Sequence, residues 1–264
     1  NTTGERNVAM GSSSLYNNTG NNNTAIGVES LFNNNTGFNN TAIGSYSLYY
    51  NTASNITAIG SGSLYNNTIG ERNVAIGYES LNLNTTGNNN TAIGYESLFN
   101  NTSDNNTANG YGSLNKNTTG STNTAMGTSS LNKNEIGNNN TAIGHNSLYS
   151  ITGNGNIAIG AYSNAQQTTG DNNICIGNYT KTNDTGPNTP LNQIVIGHGS
   201  PVSFLESQGD NTITIGTSAT TKIHANLNGA PVTWTAISDK NLKENIESSD
   251  VGLSFINDLR PVTY

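Results

Sequence analysis

Charge is scarce in this chain. Asp, Glu, Lys and Arg make up 9% of its 264 residues, and the balance is acidic, with a formal net charge of −7. Without a Lys/Arg stripe there is little to neutralise a phosphate backbone, so nucleic acid is not an expected partner. Long apolar runs are missing as well. The longest are a few residues, far short of the ~20 that a membrane-spanning helix needs, so no membrane insertion is expected. Cysteine occurs once, at Cys175, which excludes an internal disulfide. The three histidines, His145, His198 and His224, are far apart and lack Cys or His partners at ligand spacing, so no metal is expected. No Gly-rich phosphate loop follows a strand and opens a helix, and the Asp-bearing nonapeptide of calcium-binding β-rolls is absent. No cofactor is therefore expected.

What the chain does have is a repeat. Thr-Ala-Ile-Gly or a close variant recurs thirteen times, with glycines at Gly11, Gly27, Gly44, Gly60, Gly77, Gly94, Gly110, Gly127, Gly144, Gly160, Gly177, Gly197 and Gly216. The first eleven are 16 or 17 residues apart, and the last two intervals are 20 and 19. Such polarity would by itself suggest disorder, but disorder needs no fixed register of Ile and Leu. A unit this short buries no core alone, so each must be one layer of a stack.

Within one copy, Thr24-Ala25-Ile26 alternates like a short strand, with Thr24 and Ile26 on one face and Ala25 on the other. Gly27 permits a bend, and Ser30-Leu31-Phe32 reads as a second short strand or a corner with Leu31 inward. The Asn/Thr/Gly run that follows is turn chemistry. The expected fold is all-β: a parallel β-roll or solenoid of about thirteen coils. At ~4.8 Å per layer it makes a rod about 60 Å long. Ile and Leu are read as the inward stripe, and Ala and Gly as a small-residue face suited to packing against other copies. This favours a homotrimer. Three residues before the Gly, Thr gives way to Ile157, Ile174, Ile194 and Ile213, which predicts drier and more stable C-terminal coils. Cys175 replaces the Ala of its repeat and reads as a small buried hydrophobe, or else as a contact between copies.

Two features invite functional readings. Asn109 interrupts the Ile column. It is either a tolerated polar layer with a bound water or an axial ring of symmetry-related Asn side chains that sets register or holds an ion. Just after the Gly, the sequence varies most: Tyr78, Glu79, Tyr95, Glu96, Tyr111 and His145 are the receptor-facing candidates. With Phe32, Tyr49, Tyr65, Phe99 and Tyr149 they form an aromatic ladder that either contacts a host glycan or protein or merely covers the coil edges. Glu79 and Glu96 in adjacent layers are a glycosidase-like pair or, more plainly, solvated carboxylates. Thr and Asn columns raise ice binding, but the variable Tyr/Glu column works against the uniform face that this needs.

After Gly216 the repeat stops. Ile223, Ala225 and Leu227 alternate, Asn228-Gly229 is a hairpin-type turn, and Val232, Trp234 and Ala236 alternate again, a β neck over 217–237. Charge then appears abruptly, and Asp250 caps a short helix with Leu253, Ile256 and Leu259 on one face, ended by Pro261. Ser238-Asp239-x-x-Leu242-Lys243-x-Asn245-Ile246, with Leu259-Arg260-Pro261-Val262-x-Tyr264, resembles the start of the self-cleaving C-terminal chaperone of phage tailspikes, endosialidases and related fibres. The likeness covers 238–264. It implies an α-containing domain that drives trimerisation and is released by a Ser/Lys dyad. In this chain Ser238 would be the nucleophile and Lys243 the base, an autocleavage in which a desolvated Lys can serve the hydroxyl. The family often has Arg where Asn241 stands.

Over 1–216 the repeats, for example Val74-Ala75-Ile76-Gly77 and Ile157-Ala158-Ile159-Gly160, resemble the β-roll head of trimeric autotransporter adhesins, although the coil here is two or three residues longer. Together these resemblances imply an extracellular homotrimeric fibre that attaches a virus or tail-like particle to a host. The alternatives are a bacterial cell-surface adhesin of the same build, a polysaccharide-degrading tailspike, or an ice-binding or structural spacer.

Overall fold

A computed structural model describes residues 3–165, 169–183, 191–217 and 221–227, and the backbone of 234–236. Its backbone forms an all-β parallel solenoid. One fifteen-stranded sheet runs its length, and the first thirteen strands, from Val8–Met10 to Thr212–Gly216, are mutually parallel. Each is the Thr-Ala-Ile segment of its coil or a variant of it, and each pairs in register with the corresponding segment one coil on: Thr24 with Thr41, Ala25 with Ala42, Ile26 with Ile43. The widened intervals near the C-terminal end keep this register, with Cys175 opposite Val195 and Val195 opposite Thr214. The sheet then changes direction. Lys222–Asn226 pairs antiparallel with Thr212–Gly216, and Trp234–Ala236 pairs antiparallel with Lys222–Asn226.

A second strand in the coil is the exception. Among the described residues only Asn33–Asn34 with Tyr50–Asn51, and Thr180–Lys181 with Leu205–Glu206, form such short parallel pairs. Elsewhere the Ser-Leu segment is a tight corner. Its leucines, from Leu15 to Leu148, hold φ between +45° and +53°. A left-handed conformation costs a residue of this kind roughly 1–2 kcal/mol. Every one of these leucines is buried, which returns about 1.5–3 kcal/mol each and holds the corner in place. The inward Leu column expected from the repeat is therefore present, in a conformation that the spacing does not reveal.

The strand faces are the reverse of the expectation. Ala25, Ala42, Ala58 and their successors are fully buried, whereas the Thr and Ile on either side point outward. Ile76, Ile143, Ile176 and Ile215 are each more than a third exposed. The reason is space. The coil interior also holds two asparagine columns besides Leu, and beside them the strand places only a methyl group through Ala158; Cys175, Val195 and Thr214 fill the same buried column farther on. It follows that Ile157, Ile174, Ile194 and Ile213 do not dry the interior; they sit half-buried on the outer face. Cys175 lies in the Ala column, fully buried, and burial pushes its thiol well above the usual range.

The asparagines are the second half of the core. In the column four residues before the Gly, each side-chain oxygen accepts the backbone N–H of its counterpart one coil on: Asn90 from Asn106 at 2.9 Å, Asn106 from Asn123 at 2.9 Å, Asn123 from Asn140 at 3.0 Å. Each side-chain NH₂ donates to a backbone carbonyl across the coil, as Asn123 does to Gly137 at 2.8 Å. The other column, seven residues after the Gly, forms an amide ladder from Asn18 through Asn34, Asn51 and Asn67 to Asn84. Its interruptions have visible causes. Asn134 Oδ1 lacks a donor because Ile151 occupies the next rung. At Asn84 Oδ1 the next rung is present but unengaged: Asn101 donates to the Ser103 carbonyl and makes no bond back to Asn84. Buried polar groups are tolerated here because a neighbour one layer away satisfies almost all of them.

Candidate functional site

Beyond the strand, each coil bends at its Gly, where φ lies between +118° and +146° for Gly11 through Gly197. A side chain is excluded there by the neighbouring coil as well as by φ: a Cβ on Gly127 would stand 2.8 Å from the Gly144 carbonyl. Two residues later the chain is left-handed again, whether the residue is Glu79, Tyr46 or Gly62. This pair of bends turns the residues one, two and five places after the Gly onto a common edge, away from the outward Thr/Ile face. The receptor-facing candidates lie on this edge.

The edge carries aromatic stacks at the layer spacing. Tyr16, Phe32, Tyr49 and Tyr65 form the first, with successive centroids 5.1 Å apart and planes within 8°. Tyr78, Tyr95 and Tyr111 form the second, again with 5.1 Å between centroids. A third group joins Tyr162 to Tyr179, stacked, with His145 edge-on to Tyr162 and hydrogen-bonded to its hydroxyl at 3.1 Å. The first stack uses the position after Leu, the second the position after Gly. Between them the ladder changes column, and Asn82 stands where a fifth ring would continue the first stack.

Glu79 and Glu96 each engage a ring of the second stack. Each accepts a hydrogen bond from the preceding tyrosine, Tyr78 and Tyr95 respectively, and these bonds are the main reason that both phenols titrate above their ordinary value. Tyr65 is also pushed up, chiefly by its burial in the first stack. Two hollows open along the edge. One, of about 440 Å³, lies where the first two stacks meet, lined by Tyr46, Gly62, Tyr65, Asn66, Tyr78, Glu79 and Asn82 among others. The other, about 350 Å³, is bounded by Ser129, His145, Tyr149, Tyr162 and Phe204. Both volumes fall in the ~300–1,000 Å³ range of small-ligand sites.

The structure thus gathers Tyr78, Glu79, Tyr95, Glu96 and Tyr111 into one strip and places His145 with a different aromatic group farther along the same edge. Asn109 is exposed on the outward strand face, in register with Ile93 and Met126. Ser238 and Lys243 lie outside the described residues. Among the described residues no group of three His, Cys, Asp or Glu side chains could hold a metal ion, and no helix is long and apolar enough to cross a membrane. Sequence reasoning missed Gly62, Asn66 and Asn82; the signal available was the replacement of the aromatic after Leu by Asn in the coil where Tyr first follows the Gly. No known protein family, no curated protein and no solved structure matches the chain.

Proposed function

We propose that the chain forms the rod of a homotrimeric fibre that attaches a virus or tail-like particle to a host surface. The observation that carries this reading is the outward face of the long sheet. Met10, Ile26, Ile43, Ile59, Ile76 and Ile93 continue, past Asn109, into Met126, Ile143, Ile159, Ile176, Ile196 and Ile215, one apolar side chain per coil. A strip about 60 Å long and ~10 Å wide amounts to roughly 600 Å², at the upper end of what monomer surfaces leave exposed and close to one partner's share of a standard interface. Copies related by rotation about the rod axis would bury that strip while leaving the aromatic edge in solvent. Three copies, rather than two, are favoured by the likeness of the repeats to trimeric adhesin heads and by the trimer-driving motif after Ser238. A stiff rod with a dry seam and a polar, aromatic outer edge suits attachment better than turnover.

Light scattering tests the assembly. The uncleaved chain should have three times the 27.6 kDa protomer mass. Ile143→Asp, on the outward face, should yield a folded monomer. A monodisperse wild-type monomer would refute the fibre reading, and so would an assembly that ignores Ile143→Asp. For attachment, the labelled assembly should adsorb to host envelopes.

A further inference from the structure

The hollow between the first two aromatic stacks has the make-up of a sugar site, and it exists because of one glycine. At the second position after the Gly, other coils place Ser13, Glu29, Tyr46, Glu79 or Glu96 in the same left-handed conformation that Gly62 adopts at φ +66°. The backbone therefore does not require glycine there. What Gly62 does is leave out a side chain where the aromatic ladder changes column. A Cβ at Gly62 would already come within 3.2 Å of Glu79 Cγ and 3.4 Å of the Asn82 amide.

The walls and floor are complementary in kind. Tyr65 ends the first stack; the next rung is Asn82, which has no ring and whose amide donates to the Gly62 carbonyl at 2.8 Å. Tyr78 begins the second stack on the other side. Polar groups lie between the two rings. The half-buried Asn66 amide makes no side-chain hydrogen bond among the described residues. The Glu79 carboxylate accepts from the Tyr78 hydroxyl and retains acceptor capacity for other donors. Aromatic faces set beside amides and one carboxylate fit a pyranose, whose C–H face is apolar and whose hydroxyls both donate and accept. The charge narrows the class. With Glu79 in the hollow and a net charge of −7 on the chain, an anionic sugar would meet repulsion, whereas a neutral hydroxyl can donate to the carboxylate.

We infer that the hollow at Gly62, between Tyr65 and Tyr78, binds a neutral pyranose unit of a surface glycan, with Asn66 and Glu79 bonding its hydroxyls. This rests on the attachment reading and specifies the chemistry of the receptor.

The test uses the full-length assembled chain and saturation-transfer NMR with methyl galactoside, methyl glucoside, methyl N-acetylglucosaminide and, as the acidic comparison, sialyllactose. At least one neutral glycoside should show contact, and sialyllactose should not. Gly62→Glu should weaken binding at least tenfold, since Glu79 shows that the coil accepts this residue at the equivalent position. Tyr78→Ala should also weaken it, while Gly112→Glu, three coils on, should leave it unchanged. No contact from any neutral glycoside, a preference for sialyllactose, or binding indifferent to Gly62→Glu would each overturn the inference. Adsorption of the same variants to host envelopes separates the two claims: adsorption that survives Gly62→Glu rejects the hollow alone, and a wild-type assembly that never adsorbs rejects the attachment reading.

Discussion

Replacing Asn90 by Ala tests whether the buried amides hold the coils together. Asn90 is fully buried, and its side chain makes two hydrogen bonds: its oxygen accepts the Asn106 N–H at 2.9 Å, and its NH₂ donates to the Ser103 carbonyl at 2.8 Å. The two losses are unequal. Ser103 O keeps a second donor, Asn101 Nδ2 at 2.8 Å, so that loss costs about 0.5–1.5 kcal/mol. The Asn106 N–H loses its acceptor in a buried position, which costs ~1–3 kcal/mol. Their sum is roughly 1.5–4.5 kcal/mol, before any cavity term. The control is Thr86→Ala in the same region, where an exposed hydroxyl bonds the Thr102 carbonyl at 3.0 Å; it should cost well under ~1 kcal/mol. Urea unfolding followed by circular dichroism measures both. Because a repeat array can unfold in sections, amide exchange at Asn106 should be read beside it, and its protection should fall selectively. A loss below about 1 kcal/mol for Asn90→Ala, with Asn106 still protected, would mean that water replaces the carboxamide at no cost, and the ladder would not be a stabilising element.

Gly127→Ala should cost about 3 kcal/mol or more in the same unfolding assay, since φ is +125° and the new methyl would lie 2.8 Å from the Gly144 carbonyl; a neutral result would mean that the coils are not stacked this closely. His224 should give the C-terminal end a pH dependence. Burial, and then Lys222, hold its imidazolium below the ordinary range, so the unfolded chain binds a proton at a pH where the folded chain does not. Stability is then full above the unfolded pKa of about 6.5 and falls as pH drops below it; melting temperature against pH should show this, and His224→Gln should flatten the curve. For the motif after the neck, mass spectrometry of the full-length Ser238→Ala variant should show cleavage at Ser238 abolished; unchanged processing would reject the Ser/Lys dyad.

The stack, its period and the inward leucines were legible because a repeat compares itself. The same comparison held the signal for the strand's orientation. From Ala9 to Ala158 the Ala column does not vary, whereas the Ile column over the same coils admits Met10, Asn109 and Met126. A column that accepts Asn and Met in place of Ile faces a permissive environment. Hydrophobicity alone says that Ile is inside, and it fails because the coil is too narrow to hold Ile beside Leu and two asparagines. The asparagines were hidden by ambiguity. Asn tolerates turns, so an Asn-rich run reads as loop chemistry, and only the register of neighbouring coils reveals that Asn23, Asn40, Asn73 and Asn90 point inward. The receptor-facing strip was visible as variation after the Gly. The hollow beside it was not, since Gly62 matters only through the Tyr65 and Tyr78 rings on either side.

The Asn ladder has a consequence for length. Each rung gives its acceptor to the coil ahead and takes the same bond from the coil behind, so most interior junctions are chemically equivalent. A whole coil inserted or removed between Gly77 and Gly144 would leave the new neighbours facing the partners they expect. Removing half a coil would strand every ladder at once. The length of the rod is therefore a quantity that duplication can adjust in steps of about 4.8 Å without redesigning the fold. The distance between whatever lies at the two ends of the rod can thus change while its surface chemistry stays the same.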